Sequence, residues 1–199
     1  MSKVAIQGNA SGTGTFTIQS PATNTDRTLT LPDEAGTVLT SASDIQSQAL
    51  SAIPLCDAYI SALTFDVSNA TTTKLAFDQA RTSSDSSMLD GTNYRITAPL
   101  DGYYNVQVVA TVDDFGSTLE RSSLYLYKNG VNYGTLSDIH TVSVHGKNQT
   151  TSTSILIPLD ANDYVEIYGR LTNDGSSQLR FYGQPNQISA FQVTFVRPL

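Results

Sequence analysis

The chain carries only two histidines, His140 and His145, and a single cysteine, Cys56. Metal ligation and nucleophilic catalysis need such side chains gathered together, so their spacing decides what chemistry is open. On a strand, the odd separation of the histidines puts them on opposite faces, which argues against both holding one ion. Copies of either would meet only across a symmetry axis. Cys56 excludes an internal disulfide and reads as a small buried side chain. Asp113-Asp114, Asp160-Ala161-Asn162-Asp163 and Asn173-Asp174-Gly175 are oxygen-rich and read as loops between strands. They lack the alternating acidic spacing of a calcium loop, so turn chemistry is the reading. Gly12-Thr13-Gly14 is too short to cradle a phosphate, and no helix pattern follows it. With no nucleophile elbow, zinc spacing or paired carboxylates, the sequence predicts no enzyme, no cofactor and no metal.

Composition narrows the class further. The 199 residues carry a formal charge of −7, only 15% charged side chains and 39% apolar ones. Ser, Thr, Asn, Gln and Gly fill the remainder, a mixture that suits strands and turns over a helical bundle. The negative charge argues against a nucleic-acid partner, which needs surplus Lys and Arg. No apolar run approaches the ~20 residues of a membrane span, and residues 1–8 lack the apolar core of a signal peptide. The expectation is synthesis in a reducing cytoplasm without secretion. Asn9, Asn69 and Asn148 then open chance sequons.

The elements that position these residues are read from periodicity. Strands are expected near 59–66, 72–78, 94–98, 103–112, 121–128, 131–136, 141–144, 151–159 and 164–171, and near 179–182 leading into 188–196. Tyr104, Val106, Val108 and Ala110 form one face of their strand. Leu124 and Leu126 oppose Tyr125 and Tyr127, giving a strand with two apolar faces, as an inner strand at a subunit interface would have. About ten strands without an intervening helix predict a two-sheet sandwich of jelly-roll type over 58–199. Tyr104, Val106, Tyr125, Tyr127, Phe191 and Phe195 are the core or trimer-interface candidates. Most of the tyrosines are expected to pack within or between protomers, and a minority to line a surface for a glycan or protein.

Four stretches of this segment have a family resemblance: Ala98-Pro99-Leu100-Asp101-Gly102-Tyr103-Tyr104, Leu126-Tyr127-Lys128-Asn129-Gly130, Leu159-Asp160-Ala161-Asn162-Asp163-Tyr164-Val165-Glu166-Ile167 and Ser189-Ala190-Phe191-Gln192-Val193-Thr194-Phe195-Val196. Their order resembles the complement-globular-head family, relatives of tumour necrosis factor. The resemblance implies a trimeric binding head, and some heads of that family hold calcium at the trimer apex.

Residues 1–40 differ in kind. Phe16 and Ile18 alternate with Thr15, Thr17 and Gln19; Leu29 and Leu31 alternate with Thr28 and Thr30. These short half-buried patterns carry too few large apolar groups to close a core, so the segment is read as an extended β arm that needs a partner surface. The stretch from Gly14 to Ile18 and on through Asp26-Arg27-Thr28-Leu29-Thr30-Leu31-Pro32-Asp33-Glu34-Ala35-Gly36-Thr37-Val38-Leu39-Thr40 resembles a segment that recurs near the N-terminus of tail-fibre and virion proteins of tailed bacteriophages. The resemblance implies an attachment arm, with Phe16, Ile18, Arg27, Leu29, Leu31 and Val38 as its contact candidates.

Between arm and head, within a neck at 41–57, residues 43–53 predict a short helix. Ser43 is positioned to cap it with Gln46 three residues on, and Ile45, Ala49 and Ile53 share one stripe before Pro54. It is either a neck packed around a symmetry axis or a linker lying on the head. About 20 residues of fully helical shaft reach only ~30 Å, so the head sits near whatever the arm grips. Two functions follow: a trimeric capsid decoration or cement protein, or short head fibre, docked on the major capsid protein; or a receptor-binding tail tip that recognises a host surface glycan or protein.

Overall fold

Strict alternation of large apolar and polar side chains makes a strand that is buried on one face, and the longest such runs build the centre of the protein. In the computed structural model, the described residues are 11–15, 17, 22, 24–26, 28, 53–114, 119–140, 149–175, 178–183 and 189–199. The chain divides into two units, Met1–Thr40 and Ser41–Leu199. The arm candidates Phe16, Ile18, Arg27, Leu29, Leu31 and Val38, the neck residues Ile45 and Ala49, and His145 lie outside the described residues. Ile53, the third neck residue, sits in an exposed bend.

Thirteen strands run through the described residues of the second unit, with no helix among them: β1 Leu55–Tyr59, β2 Thr64–Val67, β3 Thr73–Lys74, β4 Gln79–Ser83, β5 Leu89–Asp90, β6 Arg95–Thr97, β7 Gly102–Asp114, β8 Leu119–Lys128, β9 Val131–His140, β10 Gln149–Leu159, β11 Tyr164–Asn173, β12 Leu179–Tyr182 and β13 Ala190–Arg197. They form two antiparallel sheets. In the first, β7 is central: β10 pairs along one edge, while β13 and then β12 share the other, followed by β1 with β4 and by β2. In the second, β11 lies between β8, which carries β9, and the short strands β6 and β3, with β5 outside β6. From β7 onward the chain switches sheets after β7, β9, β10 and β11, which is the winding of a jelly roll. Thr153 Oγ1 on β10 donates to the Leu136 carbonyl on β9 at 3.1 Å, tying the two sheets at one edge.

The core is the sum of the two inner faces. Tyr104, Val106, Val108, Ala110, Phe191 and Val193 come from the first sheet, and Leu124, Leu126, Val165, Ile167 and Leu171 from the second; all are buried. Phe77 tilts against Phe191 at 5.5 Å between centroids. Tyr104 meets Phe195 edge-on at 5.4 Å, and its hydroxyl donates to the Leu100 carbonyl at 2.8 Å, so the buried phenol is satisfied. The strands come close together because Gly169 lacks a side chain: a Cβ there would stand 2.5 Å from Phe181 Cζ.

Several expected elements differ. The strand expected at 59–66 is two strands, β1 and β2, because Ser61 turns the chain: its amide and hydroxyl donate to the Asp78 carboxylate at 2.8 and 2.5 Å. Of 72–78, Thr73–Lys74 forms the strand and Leu75 N still donates to the Ile167 carbonyl at 2.9 Å; beyond it Phe77 N turns back to the Leu75 carbonyl at 3.0 Å. Strands β4 and β5 were not expected. Asp113 and Asp114 extend β7, opposite Arg180 and Leu179, and are not in a loop. The strand begun at Val131 runs on to His140; residues 141–148 lie outside the described set.

Candidate binding surfaces

A sandwich has two outward faces, and strand alternation assigns every remaining side chain to one of them. On the first sheet, the residues between the core positions of β7 and β13 are Asn105, Gln107, Val109, Gln192 and Thr194, all half-buried. Register places Gln107 opposite Gln192 and Asn105 opposite Thr194 on one flank and Leu156 on the other. Directly paired residues share a face. Leu156 projects there with 52% exposure. Beside these positions Asp57 and Arg81 neutralise each other at 3.3 Å, Arg81 also donates to the Ser189 carbonyl at 3.2 Å, and farther along the sheet Arg180 stands opposite Asp66. A shallow pocket of about 190 Å³ lies here, lined by Asp57, Arg81, Gln107, Val109, Ala190 and Gln192. Arg197 covers the Tyr103 ring at 4.3 Å.

The second sheet's outward face has the opposite character. Tyr164, Glu166, Tyr168, Arg170 and Thr172 alternate with the core residues of β11, and Tyr125 and Tyr127 do so on β8. Tyr168 stands opposite Tyr125 and Glu166 opposite Tyr127. The Tyr127 and Tyr168 rings stack at 3.9 Å and 27°, and Arg95 lies over Tyr164 at 4.5 Å. Glu166 is only 3% exposed, with Oε1 2.5 Å from Lys74 Nζ. Desolvation alone would lower the Lys74 ammonium, but the Glu166 hydrogen bond and charge outweigh it and hold its pKa above the lysine norm. At the far end, Asp138 accepts from Arg121 at 2.8 and 2.6 Å and from Ser123 at 2.8 Å. The Arg121 hydrogen bond leads in pulling the Asp138 carboxyl down to about 2. His140, two residues on, is solvent-facing, 3.7 Å from Asp138.

The turns at one end interlock. Asn129-Gly130, with φ of 52° and 77°, forms the two-residue hairpin that links β8 to β9. Asn129 Oδ1 accepts from Tyr164 N at 2.9 Å, and its Nδ2 donates to Asp163 at 2.6 Å, where Lys128 also pairs at 2.7 Å. Asp163 in turn accepts from Asp160 N at 2.9 Å, and Asp101 from Ala161 N at 2.6 Å. In Asn173-Asp174-Gly175, Asn173 Oδ1 accepts from Gly175 N at 3.0 Å. The oxygens of these segments therefore hold turns. Among the described residues, no three His, Cys, Asp or Glu side chains gather around a possible ion. Cys56 is buried, and burial pushes its thiol up to about 11.

Of the six core-or-interface candidates, Tyr104, Val106 and Phe191 are fully buried core, and Phe195 packs against that core. Tyr125 and Tyr127 instead lie on the outward face of the second sheet, half-buried. The outward residues of the first sheet, Gln107 and Gln192 among them, escaped the sequence reading because polar side chains on a strand read as solvent-facing. Glu166, Lys74 and Arg170 escaped it too; the available signal was a charged residue at the middle of an otherwise apolar strand.

No family model matches the chain, and no curated protein matches it by sequence. Its fold does have solved counterparts. The globular domain of zebrafish complement 1qA superposes with a TM-score of 0.51 at 12% identity, over 74% of this chain and 99% of that one. Eiger TNF from S. frugiperda gives 0.48 at 14% identity, over 74% and 94%. Murine APRIL gives 0.49 at 8% identity, over 72% and 99%. The architecture is the jelly-roll sandwich of the complement-globular-head kind, as the four sequence stretches implied.

Proposed function

We propose that this chain is a homotrimeric, non-catalytic binding head of a bacteriophage virion, decorating or cementing the capsid or forming a short head fibre, with residues 1–40 as its attachment arm. The observation that carries self-association is the first sheet's outward face: uncharged at Asn105, Gln107, Val109, Gln192 and Thr194, rich in half-buried amides there and flanked by the exposed Leu156 at its β10 edge. An edge of one copy set against the face of the next is a heterologous contact, and three such contacts close a ring. The complement 1qA fold supports this arrangement, and the word order from Gly14 to Thr40 supports the virion. The arm's contacts would be to the major capsid protein.

A second reading, a receptor-binding tail tip, is favoured by one observation, the tyrosine-rich outward face of the second sheet. The experiment that separates them uses particles lacking the protein. Decoration predicts DNA release at lower temperature with adsorption to cells intact. Unchanged particle stability with adsorption abolished would replace it with the tail-tip reading. Deletion of residues 1–40 should leave a folded head that no longer joins the particle; normal occupancy by the truncated head would refute the role given to the arm.

A further inference from the structure

Strand β9 carries no charge from Val131 to Ser137, and β10 carries none from Ser152 to Pro158. They are edge strands of the two sheets and meet at a seam. Lys128, paired with Val131, donates to the Pro158 carbonyl at 3.0 Å, and Thr153 donates to the Leu136 carbonyl at 3.1 Å. Both bonds fit one antiparallel offset, which brings Tyr133 level with Leu156. The seam therefore exposes Val131, Tyr133 and Leu156 together, by 69, 46 and 52%. Tyr133 is singled out by the register. Leu126 pairs with Gly134 and Tyr127 with Asn132, so Tyr133 is the extra residue of a β-bulge, a device that re-aims a side chain at a sheet edge. Among the described residues, it is the single aromatic among the exposed large apolar side chains, and it has no hydrogen bond or ring contact within its own copy.

We propose that Tyr133 anchors each copy to the next by entering the pocket on the first sheet's outward face. The inference rests on the closed ring of three copies and names its contact. Val109 and Ala190, directly paired, give the pocket carbon; Gln107 and Gln192, also paired, and the neutralised Asp57–Arg81 pair give it polar groups. A tyrosine uses both, the first for its ring and the second for its hydroxyl. At about 190 Å³ the pocket exceeds the ~150 Å³ that holds a benzene ring and falls short of the ~300–1,000 Å³ of a small-molecule site. Its size suits one aromatic side chain. Two chains of net charge −7 repel each other, and an uncharged seam facing a neutralised pocket is where they can approach. Each copy holds one such tyrosine and one such pocket on different surfaces, so every contact is heterologous and a ring closes with neither left over.

Sedimentation velocity of the full chain over a concentration series tests it. The wild type should be trimeric at micromolar concentration. Tyr133→Ala, and independently Ala190→Leu, which fills the pocket from within, should each raise the concentration at which the trimer dissociates at least about tenfold, with the far-ultraviolet circular dichroism unchanged. Azidophenylalanine in place of Tyr133 should, on illumination, cross-link to residues 105–109 or 190–194 of the neighbouring copy. A trimer indifferent to either variant, or a cross-link to any other segment, would overturn the anchor and leave the ring standing. A wild-type monomer would overturn both.

Discussion

Replacing Lys74 by Met tests how the second sheet tolerates a carboxylate on its surface. Glu166 is 3% exposed, Lys74 Nζ lies 2.5 Å from its Oε1, and its Oε2 has no partner. Without the ammonium, the buried carboxylate has no counter-charge, a situation that costs about 3–5 kcal/mol. Lys74→Met should therefore lose about 3–5 kcal/mol at pH 7, some 6–20 °C in melting temperature for a chain of this size. Adding Glu166→Gln should recover most of that loss, since the group left buried is then neutral. Urea denaturation of the wild type and both variants measures this. A Lys74→Met midpoint equal to wild type, or a double variant no more stable than Lys74→Met, would refute the reasoning.

Gly169→Ala drives a methyl into Phe181 and Leu75, with gaps of 2.5 and 3.0 Å, and should cost about 1–3 kcal/mol by overpacking in the same urea assay. Asn129→Ala removes a side chain that bonds both Tyr164 N and Asp163, at a position with φ of 52°, and should cost about 1–3 kcal/mol while leaving the slope of the urea transition unchanged. Asp138, held down chiefly by Arg121, has a folded pKa of about 2 against an ordinary 3.8. A depressed carboxyl stabilises above its unfolded pKa and loses that contribution as pH falls through the folded one. The wild-type melting temperature should thus fall more steeply than that of Asp138→Asn between pH 3.8 and 2; parallel curves would contradict the ion pair's role.

The long strands were legible because each repeats its pattern often enough to fix both its period and its phase: β7, β8, β10, β11 and β13 run for 8–13 residues. The strands β2 to β5 have 2–5 residues, and distant bonds set their ends. Ser61 turns because Asp78 accepts from it, a partner 17 residues away that no local pattern announces. Gln79–Ser83 is polar at nearly every position and pairs only because β1 offers an edge. Alternation also separates two faces without saying which one the second sheet covers. Tyr104 and Phe191 therefore looked equally suited to core and interface, and only the sandwich assigns them inward. Arg170 and Glu166 carry the same lesson in reverse: their strand was readable, but which charge finds a partner depends on β3, β6 and β9.

Sedimentation or native mass spectrometry of the full chain at micromolar concentration addresses the central claim directly. A closed ring of three copies predicts a mass near three times the 21.4 kDa of one chain, and predicts that Gln107→Glu with Gln192→Glu, which sets six carboxylates into the ring's contact faces, returns it to a single chain with its melting transition intact. A wild-type mass of 21.4 kDa, or a trimer indifferent to charge on that face, would contradict the account.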